Sequence, residues 1–267
     1  MRLIYAISKV ISVIAVTLGV YSVFIIGFGI LRLFKRPVDN WRNKSLRFWG
    51  KMAAKVLSID VGVIGTPPEP PFFLVSNHLS YVDIIVLFSR LNTTFVAKSE
   101  VADWPVIGFI ARTIGVVFID RKRRSDIARV NEKISNTVTD NRGLTLFPEG
   151  TTSPGAKVLR FRAALLDYPA RSELGAHYCA ISYSTGGEDR EEDRAYEIVS
   201  WWGVSELHTH IIRLAKERSI KATIAFGDSV VKESDRKVLA LKLHRKVSEI
   251  FTPMCEPETT EFEPLKF

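Results

Sequence analysis

An uncharged, mostly apolar segment near the amino terminus constrains this chain more than any other feature. No Asp, Glu, Lys or Arg occurs between Lys9 and Arg32, a run of 22 residues. As an α-helix at about 1.5 Å per residue, such a run is long enough to cross a hydrocarbon core of about 30 Å. No small-residue cleavage site followed by a polar start marks it as a signal peptide. The sequence therefore predicts a membrane helix over residues 10–31, with a buried helix of a soluble protein as the alternative.

The orientation of this helix in the bilayer stays open, because small and polar residues interrupt the run. A re-entrant or in-plane helix accommodates them as well as a spanning helix does. Residues 1–9 hold two basic residues and residues 32–55 hold eight, so the positive-inside rule puts the rest of the chain on the cytoplasmic face of the inner membrane. The interrupting residues are Ser12, Thr17, Gly19, Tyr21, Ser22, Gly27 and Gly29.

Residues 41–57 combine apolar side chains at helical spacing with basic side chains between them. This pattern predicts a basic amphipathic helix that lies on anionic lipid, with Trp41 and Trp49 at the interface. An ordinary surface helix that packs on the rest of the protein is the alternative. The basic residues from the end of the apolar run onward are Arg32, Lys35, Arg36, Arg42, Lys44, Arg47, Lys51 and Lys55.

The net charge of +8 and the pI of about 9.5 indicate an anionic partner or simply a basic protein. The basic residues cluster beside the apolar run and no nucleic-acid-binding motif occurs, so membrane lipids are the predicted partner and nucleic acid is not. Cys179 and Cys255 form no C-x-x-C pair, which excludes a disulfide framework and fits a reducing compartment. The five histidines lack H-E-x-x-H spacing, so we predict no metal site.

The 267 residues suffice for one large domain, and their pattern predicts an α/β fold with a mostly buried central sheet flanked by helices. We place a membrane-anchoring segment at 1–58, one catalytic domain at 59–255 and a loose tail at 256–267. Predicted helices cover 81–90, 104–113, 124–138, 206–217 and 233–251. Predicted strands cover 72–76, 94–97, 115–119, 144–147, 178–183, 196–199 and 222–226.

His78 and Asp83 are the first candidates for chemistry, because they follow a predicted strand and precede a predicted helix. On one continuous helix the two side chains would point about 140° apart. They meet if His78 lies in the loop and Asp83 in the first helical turn. A carboxylate on one imidazole nitrogen leaves the other nitrogen free as a base. Alternatively, Ser80 and Asp83 form a capping box at the start of the helix.

A second candidate is the turn after the strand predicted at 144–147, which reads Phe-Pro-Glu-Gly-Thr-Thr from Phe147. Its backbone N–H groups and hydroxyls can surround an anion or a developing oxyanion. A plain connecting turn is the alternative.

Three blocks in this order resemble the 1-acylglycerol-3-phosphate acyltransferase family and its relatives: N-H-x-S-x-x-D from Asn77, G-x-x-F-I-D-R from Gly115, and F-P-E-G-T from Phe147. The resemblance covers about residues 70–230. It implies a membrane-attached enzyme that transfers a fatty acyl group from acyl-CoA or acyl-carrier protein to the free hydroxyl of a lysophosphatidic acid-type acceptor. No other cofactor is implied.

The resemblance also implies roles for single residues. His78 would be the general base that activates the acceptor hydroxyl, and Asp83 would orient it. No covalent acyl-enzyme is needed. Further residues would bind the acceptor, stabilise the transition state or hold an anionic group. These binding residues are Glu149, Gly150, Thr151, Thr152, Arg121 and Lys98. The basic run that starts at Arg121 is either a solvated face or a contact for coenzyme A phosphates or acidic carrier protein.

Two departures from the family pattern concern the acceptor. Family members that acylate lysophosphatidic acid often have arginine after Glu-Gly-Thr, where this chain has Thr152, and threonine is no bidentate phosphate clamp. The pattern then resembles relatives that acylate lyso-ornithine lipid or other lysolipids. Residues 178–181 also lack the proline of the fourth family block. Two other function classes stay open, a non-catalytic lipid-binding protein and a hydrolase that uses the same His–Asp pair on water.

Overall fold

A computed structural model describes residues 1–120, 124–185, 194–203 and 206–256. The described residues form an α/β fold with a mostly parallel sheet between helices, which confirms the predicted fold class. The strands are β1 Ile59–Ile64, β2 Phe73–Ser76, β3 Val96–Lys98, β4 Val117–Ile119, β5 Leu144–Leu146, β6 His177–Ser184 and β7 Ile220–Phe226. The helices are α1 Arg2–Leu33, α2 Asp39–Val56, α3 Val82–Arg90, α4 Ser99–Ala102, α5 Ile107–Thr113, α6 Arg124–Thr137, α7 Asp167–Arg171, α8 Ala195–Ile198, α9 Leu207–Ala215 and α10 Arg236–Ile250, with a 3₁₀ turn at Ala163–Leu165.

The main sheet has the strand order β1-β7-β6-β2-β5. Only the β6–β7 pair is antiparallel. Strands β3 and β4 form a parallel pair of their own, and a parallel bridge between Phe95 and Thr145 joins that pair to the open side of β5. The carboxyl ends of β2, β5, β3 and β4 therefore lie along one edge of the extended sheet.

Both faces of the sheet are covered, which explains the unbroken apolar run at β2. Leu74 packs in a cluster with side chains from α2 and α3, whereas Phe73 and Val75 pack in a second cluster with side chains from α6 and α10. A strand buried on both faces needs apolar residues at every position rather than at alternate ones.

Helices α1 and α2 form an antiparallel hairpin whose contacts keep one register over most of its length. The Lys9 Nζ donates to the carbonyl oxygen of Leu57 at 3.2 Å, and also to that of Glu217 at 2.7 Å. Further along, the Trp49 indole N–H donates to Thr17 Oγ1 at 3.0 Å. The Trp41 indole donates to the Phe24 carbonyl, also at 3.0 Å. Helix α1 is thus docked on the domain near both of its ends.

Helix α1 is long and apolar enough to cross a membrane, by length and composition. Its buried residues are Ala6, Lys9 and Phe24, so the alternative of a buried soluble helix is wrong. The outward side of α1 is apolar and exposed. Its exposed large side chains include Ile4, Ile7, Ile11, Ile14, Leu18, Ile26, Ile30 and Leu33.

Helix α2 confirms the predicted helix at 41–57, but its two tryptophans do not face outward. Trp41 and Trp49 are half-buried and bind α1, which matches the alternative of a helix packed on the protein. The outward side still carries basic residues, with Lys44, Lys51 and Lys55 exposed around Phe48.

Two details of the predicted strands were wrong. Residues 196–199 belong to a short helix and its cap, because Val199 N donates to the Ala195 carbonyl at 2.8 Å and Arg194 bonds the Glu197 carboxylate one turn on. Strand β1 was not predicted; it lies at the edge of the sheet beside β7. The predicted tail lies outside the described residues beyond position 256.

Candidate active site

Two loops at the carboxyl ends of β2 and β5 bring the predicted site residues together. The loop after β2 carries His78. The loop after β5, which pairs with β2 in parallel, carries Glu149. Ser153 N donates to the His78 carbonyl at 3.1 Å and ties the two loops. Both loops therefore open at the sheet edge where α/β folds place reactive side chains.

His78 and Asp83 are in direct contact, with His78 Nδ1 2.7 Å from Asp83 Oδ2. His78 lies in the loop and Asp83 is the second residue of α3, the arrangement that lets the pair meet. The Asp83 side chain is fully buried, whereas 21% of the His78 side chain is exposed. With the Nδ1 proton directed at Asp83, Nε2 carries the free lone pair and can accept a proton from a bound hydroxyl.

Asp83 also accepts the backbone N–H groups of Leu79 at 2.8 Å and Ser80 at 3.1 Å. The capping contact to the Ser80 N–H therefore exists together with the His78 contact, and the two interpretations of Asp83 are compatible. The other half of the capping box is absent from the described residues, because the buried Ser80 Oγ has no hydrogen-bond partner there.

Tyr183 completes the surroundings of Asp83. Its hydroxyl donates to Asp83 Oδ1 at 2.7 Å from strand β6. Burial, with the neighbouring Asp83 charge, raises the pKa of Tyr183 well above its ordinary value, so the phenol stays a neutral donor. Four donors thus stabilise the negative charge on a buried carboxylate, which needs such compensation.

The His78 ring is also held by aromatic stacking. It lies parallel to the Phe147 ring, with centroids 4.0 Å apart and planes 12° apart. Phe147 in turn stacks on Phe95 at 5.9 Å. The preceding Asn77 side chain exchanges two hydrogen bonds with the backbone of Ile181, at 2.8 and 2.9 Å, and fixes the loop to β6.

Glu149 is buried beside this pair, with 3% of its surface exposed. Its Oε1 accepts the Leu159 N–H at 3.2 Å, while Oε2 has no hydrogen-bond partner in the described part of the chain. Loss of solvent, reinforced by the charge of Asp83, raises the pKa of Glu149 well above its ordinary value. This shift favours the neutral carboxyl group, which can donate a hydrogen bond.

Gly150 closes the turn, since its N–H donates to the Phe147 carbonyl at 3.2 Å and its φ of +74° suits glycine. Thr151 Oγ1 lies 3.5 Å from the Thr152 carbonyl. The Thr152 hydroxyl donates to the carbonyl of Trp201. The turn is therefore bonded internally and to the 200–203 segment, and one of its backbone N–H groups, that of Gly150, bonds within the turn.

The 200–203 segment is fastened to both site loops. Trp201 N donates to the Leu79 carbonyl at 2.9 Å, and His210 Nε2 donates to the Ser200 carbonyl at 3.0 Å. The Tyr81 hydroxyl lies 3.1 Å from His210 Nδ1. Burial lowers the pKa of His210 to about 4, so the ring is neutral and bridges the two groups.

Two predicted binding residues remain, Lys98 and Arg121. Lys98 ends β3, three residues after the bridge between Phe95 and Thr145, and is half-buried at the same sheet edge as His78. Arg121 lies outside the described residues. In the part of the chain that the structure describes, no three His, Cys, Asp or Glu side chains are grouped to hold a metal ion.

Sequence reasoning missed Tyr183 as a part of this site, and it assigned no role to Asn77 or Phe147, although both belong to the quoted motif blocks. Alternation along β6 places Tyr183 on the same sheet face as Ile181, which is the only available signal. Nothing local to Tyr183 indicates a partner 100 residues earlier in the chain.

Comparisons with known proteins show which proteins this chain resembles. A family model described as Acyltransferase matches residues 61–182. A lyso-ornithine lipid O-acyltransferase of Brucella abortus is 33% identical over 225 residues, which cover 80% of this chain and 84% of that protein. A 1-acyl-sn-glycerol-3-phosphate acyltransferase of Neisseria gonorrhoeae is 34% identical over 143 residues, 53% of this chain and 55% of that protein. The crystal structure of the 1-acyl-sn-glycerophosphate acyltransferase PlsC from Thermotoga maritima superposes with a TM-score of 0.60 at 25% identity, covering 93% of this chain and 97% of that chain.

Proposed function

This chain belongs to the acyltransferase family, and from that membership we propose that it moves a fatty acyl group from an acyl thioester to the free hydroxyl of a lyso-ornithine lipid or a closely similar lysolipid. The observation that carries the proposal is the buried His78–Asp83 contact of 2.7 Å. Asp83 engages Nδ1 of His78, and Phe147 covers one face of the ring. A substrate therefore approaches the Nε2 side of the ring.

In the proposed reaction, His78 Nε2 accepts the proton of the acceptor hydroxyl. The hydroxyl oxygen then attacks the thioester carbonyl carbon, so a C–O bond forms and the C–S bond breaks. The thiolate of coenzyme A or acyl-carrier protein leaves and takes the proton from His78. Asp83 stabilises the imidazolium that forms in between.

Glu149 is proposed to act as a neutral hydrogen-bond donor in this step. Its buried Oε2 lacks a partner among the described residues, and its raised pKa favours the protonated form of the carboxyl group. A donor in a site with little water is worth most where negative charge develops. Gly150 and Thr151 are proposed to bind the acceptor, and Lys98 and Arg121 the anionic groups of donor or acceptor.

Thr152 supports a lyso-ornithine-type acceptor over a lysophosphatidic acid. Its hydroxyl is directed to the Trp201 carbonyl, and threonine offers no guanidinium for a phosphate. The Brucella relative, which matches over most of its length, carries the lyso-ornithine name. The Neisseria match favours lysophosphatidic acid as the second candidate. We expect Thr152→Arg to raise the ratio of lysophosphatidic acid to lyso-ornithine activity by about 10- to 150-fold, because one charged hydrogen bond to phosphate is worth about 1.5–3 kcal/mol. An unchanged ratio argues against a headgroup role for this position.

The proposed location is the cytoplasmic face of the inner membrane. The outward side of α1 is apolar between Lys9 and Arg32, and exposed lysines of α2 lie nearby. Since α1 is docked on the domain near both ends, we propose that it lies along one leaflet. The lysolipid then reaches His78 from the bilayer, and the thioester donor reaches it from the cytoplasm.

The deciding experiment compares wild type, His78→Ala and Asp83→Asn in liposomes, with labelled acyl-CoA or acyl-carrier protein and with both lysolipids. We expect a diacyl product from the wild type and a loss of at least about 100-fold with His78→Ala, the usual contribution of a general base. Unchanged unfolding temperatures serve as the control. Undiminished transfer by His78→Ala contradicts the mechanism, and free fatty acid without a diacyl product indicates a hydrolase instead.

A further inference from the structure

Residues 104–109 expose an unusual concentration of large apolar side chains. Trp104 is 38% exposed, Val106 61%, Ile107 50% and Phe109 59%. The remaining two residues are Pro105 and Gly108, so this segment, the 104–109 patch, carries no charge. A contiguous apolar patch at the surface of a protein marks a contact with another apolar surface.

One residue of the 104–109 patch, Phe109, contacts the middle of α1. The Phe109 ring meets the Tyr21 ring edge-on, with centroids 6.3 Å apart. The Tyr21 hydroxyl is 2.9 Å from Thr113 Oγ1 at the end of α5. Tyr21 is in the centre of the uncharged run, so the nearest charged residue along α1 is about 16 Å away at the rise of an α-helix.

We propose that the 104–109 patch is a second membrane contact, which inserts into the acyl-chain region of the leaflet that holds α1. The proposal rests on the membrane attachment of α1 given above, but on no catalytic step. Its argument is continuity: Phe109 contacts Tyr21 at the centre of the uncharged run, so the patch adjoins the part of α1 that is farthest from its charged residues.

The charged groups around the patch fit this position. Asp103 and Arg112 flank the 104–109 patch, and their side chains are largely exposed. Arg112 Nη2 lies 4.0 Å from Asp103 Oδ1. The Arg112 guanidinium also donates to the Ala102 carbonyl. Paired charges at the border of an inserted loop remain near the headgroups, since long side chains keep their charged ends in water.

An inserted patch fixes the side from which the acceptor reaches the site. The patch belongs to the β3–α4–α5–β4 excursion, which starts next to Phe95. The Phe95 ring stacks on Phe147, and Phe147 stacks on His78. The part of the sheet that carries His78 is therefore held next to the membrane contact.

The test uses spin labels in the full-length protein, reconstituted in phosphatidylethanolamine–phosphatidylglycerol liposomes. Cys255 is replaced by serine, and the buried Cys179 is retained. Labels are placed with Phe109→Cys, with Ile107→Cys as a second patch position, with Ile14→Cys on the exposed side of α1, and with Leu241→Cys on α10 as the control. Leu241 is 65% exposed on a helix that covers the opposite face of the sheet.

We expect the ratio of oxygen to nickel-complex collision rates at the patch and at Ile14 to exceed that at Leu241 by about tenfold, because the polar nickel complex is excluded from hydrocarbon. A patch ratio equal to that of Leu241, with Ile14 in lipid, overturns the proposal and leaves membrane attachment intact. Spin–spin broadening at the patch, with protection from both reagents, also overturns it, since a second copy then covers the patch. An aqueous Ile14 overturns the attachment itself.

Discussion

At the scale of single residues, the environment of Asp83 decides how well His78 is held. Two of its four hydrogen bonds come from the backbone of the adjacent loop, one comes from His78, and one comes from Tyr183 on β6. The Tyr183 bond is the only one that a conservative substitution removes without altering the loop. It therefore separates the positioning of the carboxylate from the chemistry of the imidazole.

We expect Tyr183→Phe to lower kcat about tenfold with little change in KM, because Asp83 holds the His78 ring less firmly. The free energy of unfolding should fall by about 1–3 kcal/mol, the cost of leaving a buried carboxylate oxygen without its donor. Tyr178→Phe is the matched control, since Tyr178 is on the same strand and its hydroxyl donates to Asp228 away from the site. Equal effects of the two variants on kcat would contradict a positioning role for Tyr183.

His210 gives the fold a pH dependence that can be measured separately. An unfolded histidine binds a proton below about pH 6.5, whereas burial lowers the pKa of His210 in the fold to about 4. Between these values the unfolded state binds more protons, so stability falls as pH falls from 6.5 to 4, by up to about 3 kcal/mol. The decline should be shallower in His210→Gln.

Denaturant unfolding in detergent at several pH values measures this difference. His208→Gln is the control, because 79% of the His208 side chain is exposed. Comparison between variants cancels the opposite contribution of Glu149, whose pKa is raised. A wild type and a His210→Gln variant with parallel pH curves would contradict the buried neutral bridge.

The sequence allowed part of the site to be predicted, for a physical reason. His78 and Asp83 are five residues apart, so a loop-to-helix transition is enough to bring them together. Tyr183 and Trp201 reach the site only after β6 pairs with β2 and the 200–203 segment folds over the loops. Contacts of that kind depend on the order of the strands in the sheet, which the local amino-acid pattern does not indicate.

At the scale of elements, α2 and α3 approach closely at Gly50. A Cβ atom at this position would lie 2.6 Å from Ser89 N and 2.9 Å from the Ile85 carbonyl oxygen, and these backbone atoms cannot move aside easily. We expect Gly50→Ala to lower the free energy of unfolding by about 1–3 kcal/mol.

Gly19→Ala on α1 is the control for that substitution, because nothing lies within 4 Å of the added methyl group. Alanine there should be neutral or stabilise the helix by up to about 1 kcal/mol. Thermal unfolding in the same detergent measures both variants. A Gly50→Ala protein that unfolds at the same temperature as the wild type would show that α2 and α3 are less tightly packed than described.

The helices were predicted well because their apolar periodicity is long, as in α6 and α10. The short elements were predicted less well. Residues 196–199 are rich in strand-forming types, yet one ion pair and one backbone turn hold them as a helix. Strand β1 gains its pairing from β7, about 160 residues later. Strand propensity depends on such partners, so composition alone does not determine it.

At the scale of the whole molecule, α1 contributes to the hydrophobic core and also carries the apolar outward side that we propose contacts the membrane. Phe24 is buried in the same cluster as side chains of β1, β6 and β7, and Trp41 and Trp49 donate to α1. We expect deletion of residues 1–33 to yield aggregated protein without a cooperative unfolding transition, because the apolar side of α2 loses its cover. Size-exclusion chromatography and near-ultraviolet circular dichroism measure this.

The matched control keeps the core contacts and changes only the outward side of α1. The triple variant Ile11→Ser, Ile14→Ser, Leu18→Ser alters exposed positions, so it should fold and yet bind liposomes more weakly. A soluble, folded protein after the deletion would instead indicate that α1 is a simple tether.

The one-sided exposure of α1 has a kinetic meaning. With α1 held in one leaflet, as we propose, the enzyme meets its acceptor by lateral diffusion, in two dimensions rather than three. The quantity that saturates it is then the mole fraction of lysolipid in the surface, not the concentration in the suspension. Adding inert phospholipid at a constant amount of lysolipid therefore lowers the mole fraction of substrate that the enzyme meets, although the total amount of lysolipid in the sample is unchanged.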